Sequence, residues 1–153
     1  MSFYDKLSAL NITPTAPAAP VAAYVMYVQT GNLVFISGHL ARQADRSIWA
    51  GQLGRDISVE QGKLAARGVA VDILGTLQEA CGGDLNRVKR IVKLTSLVNS
   101  TPDFTEHHLV TNGASDLLVE VFGDAGKHAR AAFGVAQIPL GACVEIELVV
   151  ELS

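Results

Sequence analysis

KHARAAFGVAQIPLGACVEIELVVE, residues 127–151, reads as two β-strands joined by a short connection. In its second half Val144, Ile146, Leu148 and Val150, with Leu152 just beyond, alternate with Cys143, Glu145, Glu147, Val149 and Glu151. A period of two puts successive side chains on opposite faces of a sheet, so the first set marks a core face. Ala129 to Ala136 is the partner strand, and Pro139-Leu140-Gly141 is the connection.

Upstream, Leu117, Leu118, Val121 and Phe122 make an apolar helical stripe that Gly123 closes. Val88 to Val98 is rich in β-branched residues and ends at Asn99-Ser100-Thr101-Pro102. There Thr101 is read as a helix cap and Pro102 as the first residue of a short helix. Ser58 followed by Gln61 is a capping-box pattern, and Ala66, Val69, Ile73, Leu77 and Ala80 then recur at helical spacing until Gly82-Gly83. Tyr24 to Thr30, Gly31-Asn32, and Leu33 to Ser37 read as strand, tight turn and strand, because the turn pair tolerates positive φ.

Residues 12–23 hold three of the five prolines, so residues 1–23 are assigned as an extended N-terminal arm and 24–153 as a single domain. The order β-β-α-β-α-β-β predicts an α+β fold, a mixed sheet with two main helices on one face. The other face needs cover, and self-association supplies it most simply.

The length, 153 residues with 49% apolar content, suits one core. The start, MSFYDKLSAL, lacks a signal-peptide run, and no stretch reaches the ~20 apolar residues of a membrane helix, so a cytoplasmic, non-membrane protein is expected. Cys81 and Cys143 are expected as buried free thiols. Net charge is −3 and Lys and Arg are scattered, without the basic stripe that nucleic-acid binding uses. Nucleic acid is a disfavoured partner.

The sequence holds no GxSxG, phosphate loop, HExxH or CxxC, so chemistry rests on individual residues. Arg130 opens an otherwise small and apolar strand. Its planar fork matches a carboxylate, yet structural ion pairs are common, and a salt bridge to a glutamate on a neighbouring strand is the favoured reading at this level. Glu145 shares a face with Glu147 and Glu151 and is equally readable as a solvated carboxylate. Were the Pro139–Gly141 connection a tight hairpin, Arg130 and Glu145 would lie about five residues apart, roughly 15 Å, too far to share a substrate. Another arrangement of strands or subunits would be needed to bring them together. His39, His107, His108 and His128 lack metal-ligand spacing and read as surface or capping residues, with His39 notable for following Ser37-Gly38.

Three stretches together resemble the YjgF/RidA family, also called L-PSP or UK114. These are Tyr24 to Asn32, Leu33 to Gly38, and Ala129-Arg130 with Ile138-Pro139 and Val144-Glu145-Ile146-Glu147. The resemblance implies a chorismate-mutase-like fold and a homotrimer with pockets between subunits. It implies hydrolysis of 2-imino or enamine acids, such as 2-aminoacrylate, to 2-keto acids and ammonia, with no metal or cofactor. Arg130 then matches the arginine that grips the substrate carboxylate and Glu145 the acid that positions water. Tyr24, Ser37 and the Gly38 backbone match groups lining the pocket, and Asn112 resembles a pocket asparagine near a subunit boundary. Two features depart from the common pattern. Ala132 stands where many members have cysteine, and His107–Leu118, HHLVTNGASDLL, is expanded, as in a longer branch of the family. Two other functions fit the resemblance, an endoribonuclease-type translation inhibitor and a non-catalytic binder of small carboxylic acids.

Overall fold

A computed structural model describes residues 2–153. Its elements are α1 (Phe3–Ala9), β1 (Tyr27–Thr30), β2 (Leu33–Leu40), α2 (Val59–Ala80), β3 (Val88–Asn99), α3 (His107–Phe122), β4 (Ala129–Val135) and β5 (Val144–Leu152). The strands form one sheet in the order β1-β2-β5-β3-β4. All neighbours are antiparallel except β3 and β4, which are parallel, so the sheet is mixed. β5 therefore does not pair with β4. The Pro139–Gly141 turn carries the chain past β3, and no β4–β5 hairpin exists.

The periodicities dictate which side of the sheet is covered. Val34, Ile36, Ile91, Leu94, Val98, Ile146, Leu148 and Val150 are buried against Val69, Ile73, Leu74 and Leu77 of α2 and Val110, Leu117, Leu118 and Val121 of α3. Each such burial contributes about 1.5–3 kcal/mol, which fixes the helix layer on this face. α2 begins where the sequence predicts. The Ser58 hydroxyl accepts from Gln61 N–H at 3.1 Å and the Gln61 side chain accepts from Ser58 N–H at 2.9 Å. The helices cross closely at Gly113, where a Cβ would run into the Lys63 carbonyl.

Three expectations need correction. The N-terminal arm is not extended throughout, because Ser2 and Asp5 form a reciprocal capping box that starts α1. That helix buries Leu7 and packs Phe3 edge-on against Phe122 of α3, so a short third helix joins the two main ones. Residues 12–20 do run without regular structure and cross α2 at Gly75, close against Thr15. Thr101 and Pro102 do not open a helix. The Thr101 N–H is drawn to the Leu53 carbonyl at 3.0 Å, its hydroxyl is buried, and α3 starts at His107. β1 is also shorter than its sequence suggests, leaving Tyr24 outside the sheet.

The opposite face carries Val28, Phe35 and Phe133, each about half exposed at 55%, 45% and 46%, beside the partly buried Leu97 and Val149. No helix among the described residues is long and apolar enough to cross a membrane.

Candidate functional site

Glu145 lies at the start of β5, on the uncovered face with Glu147, because strand alternation puts Val144 and Ile146 into the core. Gly38 lies beside Glu145. Between Ile36 and His39 the β2–β5 register advances three residues on β2 for two on β5, which is a β-bulge. The bulge carries Gly38 so close to the Glu145 carboxylate that a Cβ there would collide with it. Ser37 on the same bulge donates its hydroxyl to the Val25 carbonyl at 2.6 Å and so pins the segment that bears Tyr24, itself 57% exposed. His39 secures the bulge from beneath. Its ring nitrogens reach the Ser37 carbonyl at 2.7 Å and the Thr76 hydroxyl of α2 at 2.8 Å. Burial holds the His39 pKa below the ordinary value. Burial first, and Glu147 second, push the Glu145 pKa up, so this carboxyl keeps a proton more readily than a solvated one.

Ser37 also lines a cavity of about 260 Å³ on the uncovered face with Val28, Phe35, Lys93, Thr95 and Glu147. A larger cavity, about 540 Å³, beside Gln52, Arg55 and Gln137 is lined by none of Tyr24, Ser37, Gly38, Asn112, Arg130 and Glu145.

Arg130 stands apart from this group. It lies on β4, the sheet edge, opposite Leu94 of β3, and so shares the helix-side face with that buried leucine. Its Nη1 donates to Asn112 Oδ1 at 2.8 Å and to Ser115 Oγ at 3.3 Å, both on α3. The expected ion pair to a glutamate is absent. The strand beside Arg130 presents Lys93, Leu94 and Thr95, and Arg130 makes no salt bridge among the described residues. Its Nε and Nη2 have no partner there either, which leaves one edge of the fork open for a planar anion.

The predicted residues thus fall into two groups. Asn112 joins Arg130, whereas Ser37 and Gly38 join Glu145, with Tyr24 tethered alongside. From Arg130 the register runs through Leu94 to Leu148, three residues from Glu145. Two strand spacings and three residues amount to about 14 Å between Cα atoms, with the two side chains on opposite faces. One chain does not bring them onto a single ligand.

The family model described as "YjgF/chorismate_mutase-like, putative endoribonuclease" matches residues 5–152. The chain belongs to the YjgF family. Protein TCP17 of Trypanosoma cruzi is 48% identical over 148 residues, 96% of this chain and 92% of TCP17. The 2-iminobutanoate/2-iminopropanoate deaminase of Mus musculus is 32% identical over 137 residues, covering 90% of this chain and 86% of the mouse protein. Among solved structures, the YjgF chain resembles protein Atu1372 of Agrobacterium tumefaciens, of unknown function, at 40% identity and a TM-score of 0.88. That match covers 99% of this chain and 94% of the other. The mixed sheet with three helices is the YjgF/chorismate-mutase-like fold. The YjgF match begins at Asp5, within α1.

Proposed function

We propose that this protein hydrolyses small 2-imino acids to 2-keto acids and ammonia, in pockets formed between the subunits of a homotrimer. The observation that carries the reading is Arg130, a guanidinium held by two neutral oxygens, with no ion pair and an open edge. Its charge is uncompensated, so a substrate carboxylate gains two charge-assisted hydrogen bonds without displacing a resident acid. The deaminase name of the mouse relative supports the reaction class.

The substrate carboxylate binds Arg130 of one subunit, and Glu145 of the adjacent subunit faces the imine carbon. Glu145 accepts a proton from water as the oxygen attacks and passes it to the imine nitrogen. The carbinolamine so formed yields its hydroxyl proton to that nitrogen as the C–N bond breaks, the C=O bond forms and ammonia leaves. Water and imine are consumed, keto acid and ammonia appear, and no redox step occurs. A carboxyl with a raised pKa suits the return of that proton to the leaving amine. The backbone and hydroxyl around Ser37 and Gly38 line the water side of the pocket, with Tyr24 at its mouth. Val28, Phe35 and Phe133, exposed in the single chain, supply the apolar surface that trimer contact covers.

Adding the pure protein to a dehydratase that releases 2-aminoacrylate is expected to accelerate pyruvate formation, and Arg130→Ala to abolish the effect. Full acceleration by the Arg130→Ala protein would contradict the proposal, and tight 2-ketobutyrate binding without acceleration would instead identify a binder. The net charge of −3 speaks against ribonuclease action on a polyanion.

A further inference from the structure

One of the two groups holding Arg130 is itself held. Ser115 Oγ lies 2.9 Å from His128 Nε2, and His128 Nδ1 lies 2.6 Å from the Gly126 carbonyl oxygen. A carbonyl oxygen only accepts, so Nδ1 carries the proton and Nε2 of the neutral ring is an acceptor for the Ser115 hydroxyl. With its proton committed to the ring, Ser115 offers a lone pair to Arg130 Nη1 at 3.3 Å. The three bonds that link Arg130, Ser115, His128 and Gly126 then run in one consistent direction, and bonds in such a series polarise one another.

We propose that Ser115 and His128 are positioning residues for the Arg130 guanidinium. The inference rests on the reading of Arg130 as carboxylate anchor. His128 sits immediately before β4 and Arg130 is its second residue, so ring and guanidinium converge on one helix hydroxyl and fasten the start of the edge strand to α3. Together with Asn112 they fix both protons of Nη1, which sets the guanidinium plane and turns the Nε–Nη2 edge outward. An aspartate or glutamate would hold the fork as firmly, but it would neutralise the charge and compete with the ligand. A relay of neutral groups orients the guanidinium and leaves its charge for the substrate. His128, which the sequence alone assigns to the surface or a cap, becomes part of the site's support.

The test combines calorimetric titration of 2-ketobutyrate with the kinetics of imine hydrolysis in Ser115→Ala, His128→Phe, their double variant, Ser115→Thr and Arg130→Ala. Each single relay variant is expected to weaken binding about fivefold, and the double no more than about tenfold, because groups acting in series are not additive. KM should rise with kcat nearly unchanged, and Ser115→Thr, which restores the hydroxyl, should restore affinity. A purely structural role would not give that split or that rescue. Ser115→Ala installs a better helix former and keeps the test sound even if His128→Phe destabilises the fold. Wild-type affinity in Ser115→Ala overturns the relay while leaving the anchor standing. Wild-type affinity in Arg130→Ala overturns the anchor itself.

Discussion

Arg130 differs in its company from the five cations that form ion pairs among the described residues. Arg46, Arg55, Arg67, Lys89 and Lys127 each face a carboxylate, at distances from 2.9 to 3.9 Å, and all five sit at the surface where such pairs contribute little. Arg130 faces an amide and a hydroxyl. Arg130→Lys keeps the charge and loses the planar fork, so 2-ketobutyrate affinity should fall about tenfold or more with Tm essentially unchanged. Equal affinity would show that the fork is not used. At Gly38 the added methyl of Gly38→Ala meets the flexible end of Glu145 rather than backbone. The acid should swing aside at little cost in stability, and kcat should fall about tenfold, as removal of a positioned acid or base does. An unchanged kcat in that variant would detach Glu145 from turnover.

The bulge in β2 depends on a buried histidine, and this gives the chain a pH response. Burial lowers the folded-state pKa of His39, so the unfolded chain takes up the proton first. The stability His39 contributes is present above its unfolded value near 6.5 and is lost as pH falls through the folded value. Urea denaturation between about pH 7 and 5 should show stability falling with pH, and His39→Gln should flatten the slope. Part of the slope should remain, because burial shifts His107 in the same direction. Where α2 meets α3, Gly113→Ala sets a methyl against the Lys63 carbonyl, which cannot yield, and should cost about 1–3 kcal/mol. The elements that were legible in the sequence are those with a local signal, such as the Ser58–Gln61 box of α2 and the alternation of β5. The Ser2–Asp5 capping box that starts α1 is local too, but the reading of the arm rests on the prolines at 14, 17 and 20 alone. The insertion of β3 between β4 and β5 carries no local signal, since non-local pairing is decided by the assembled core. That insertion removes the glutamate expected beside Arg130, and with it the salt bridge.

At the scale of the whole molecule, one face of the sheet is buried by helices and the other keeps Val28, Phe35 and Phe133 half exposed. Phe35→Lys places a charge on β2 within that face and should shift the protein to monomer in analytical ultracentrifugation, with loss of imine hydrolysis. Full activity in a monomer would separate the site from assembly. Residue types alone leave Arg130 readable as a salt bridge and Glu145 as a solvated acid, and only the family resemblance singles them out, with Asn112 and Gly38, as candidates. Their separation onto opposite faces of one sheet is a property of the topology alone. The central claim is that a working pocket takes Arg130 from one subunit and Glu145 from its neighbour. Arg130→Ala and Glu145→Gln proteins, each inactive alone, should therefore recover about one quarter of wild-type turnover when unfolded together and reassembled at equal amounts, the share of interfaces in random trimers that unite two intact halves. Recovery near that value supports the shared pocket, and no recovery in preparations shown to contain mixed trimers contradicts it.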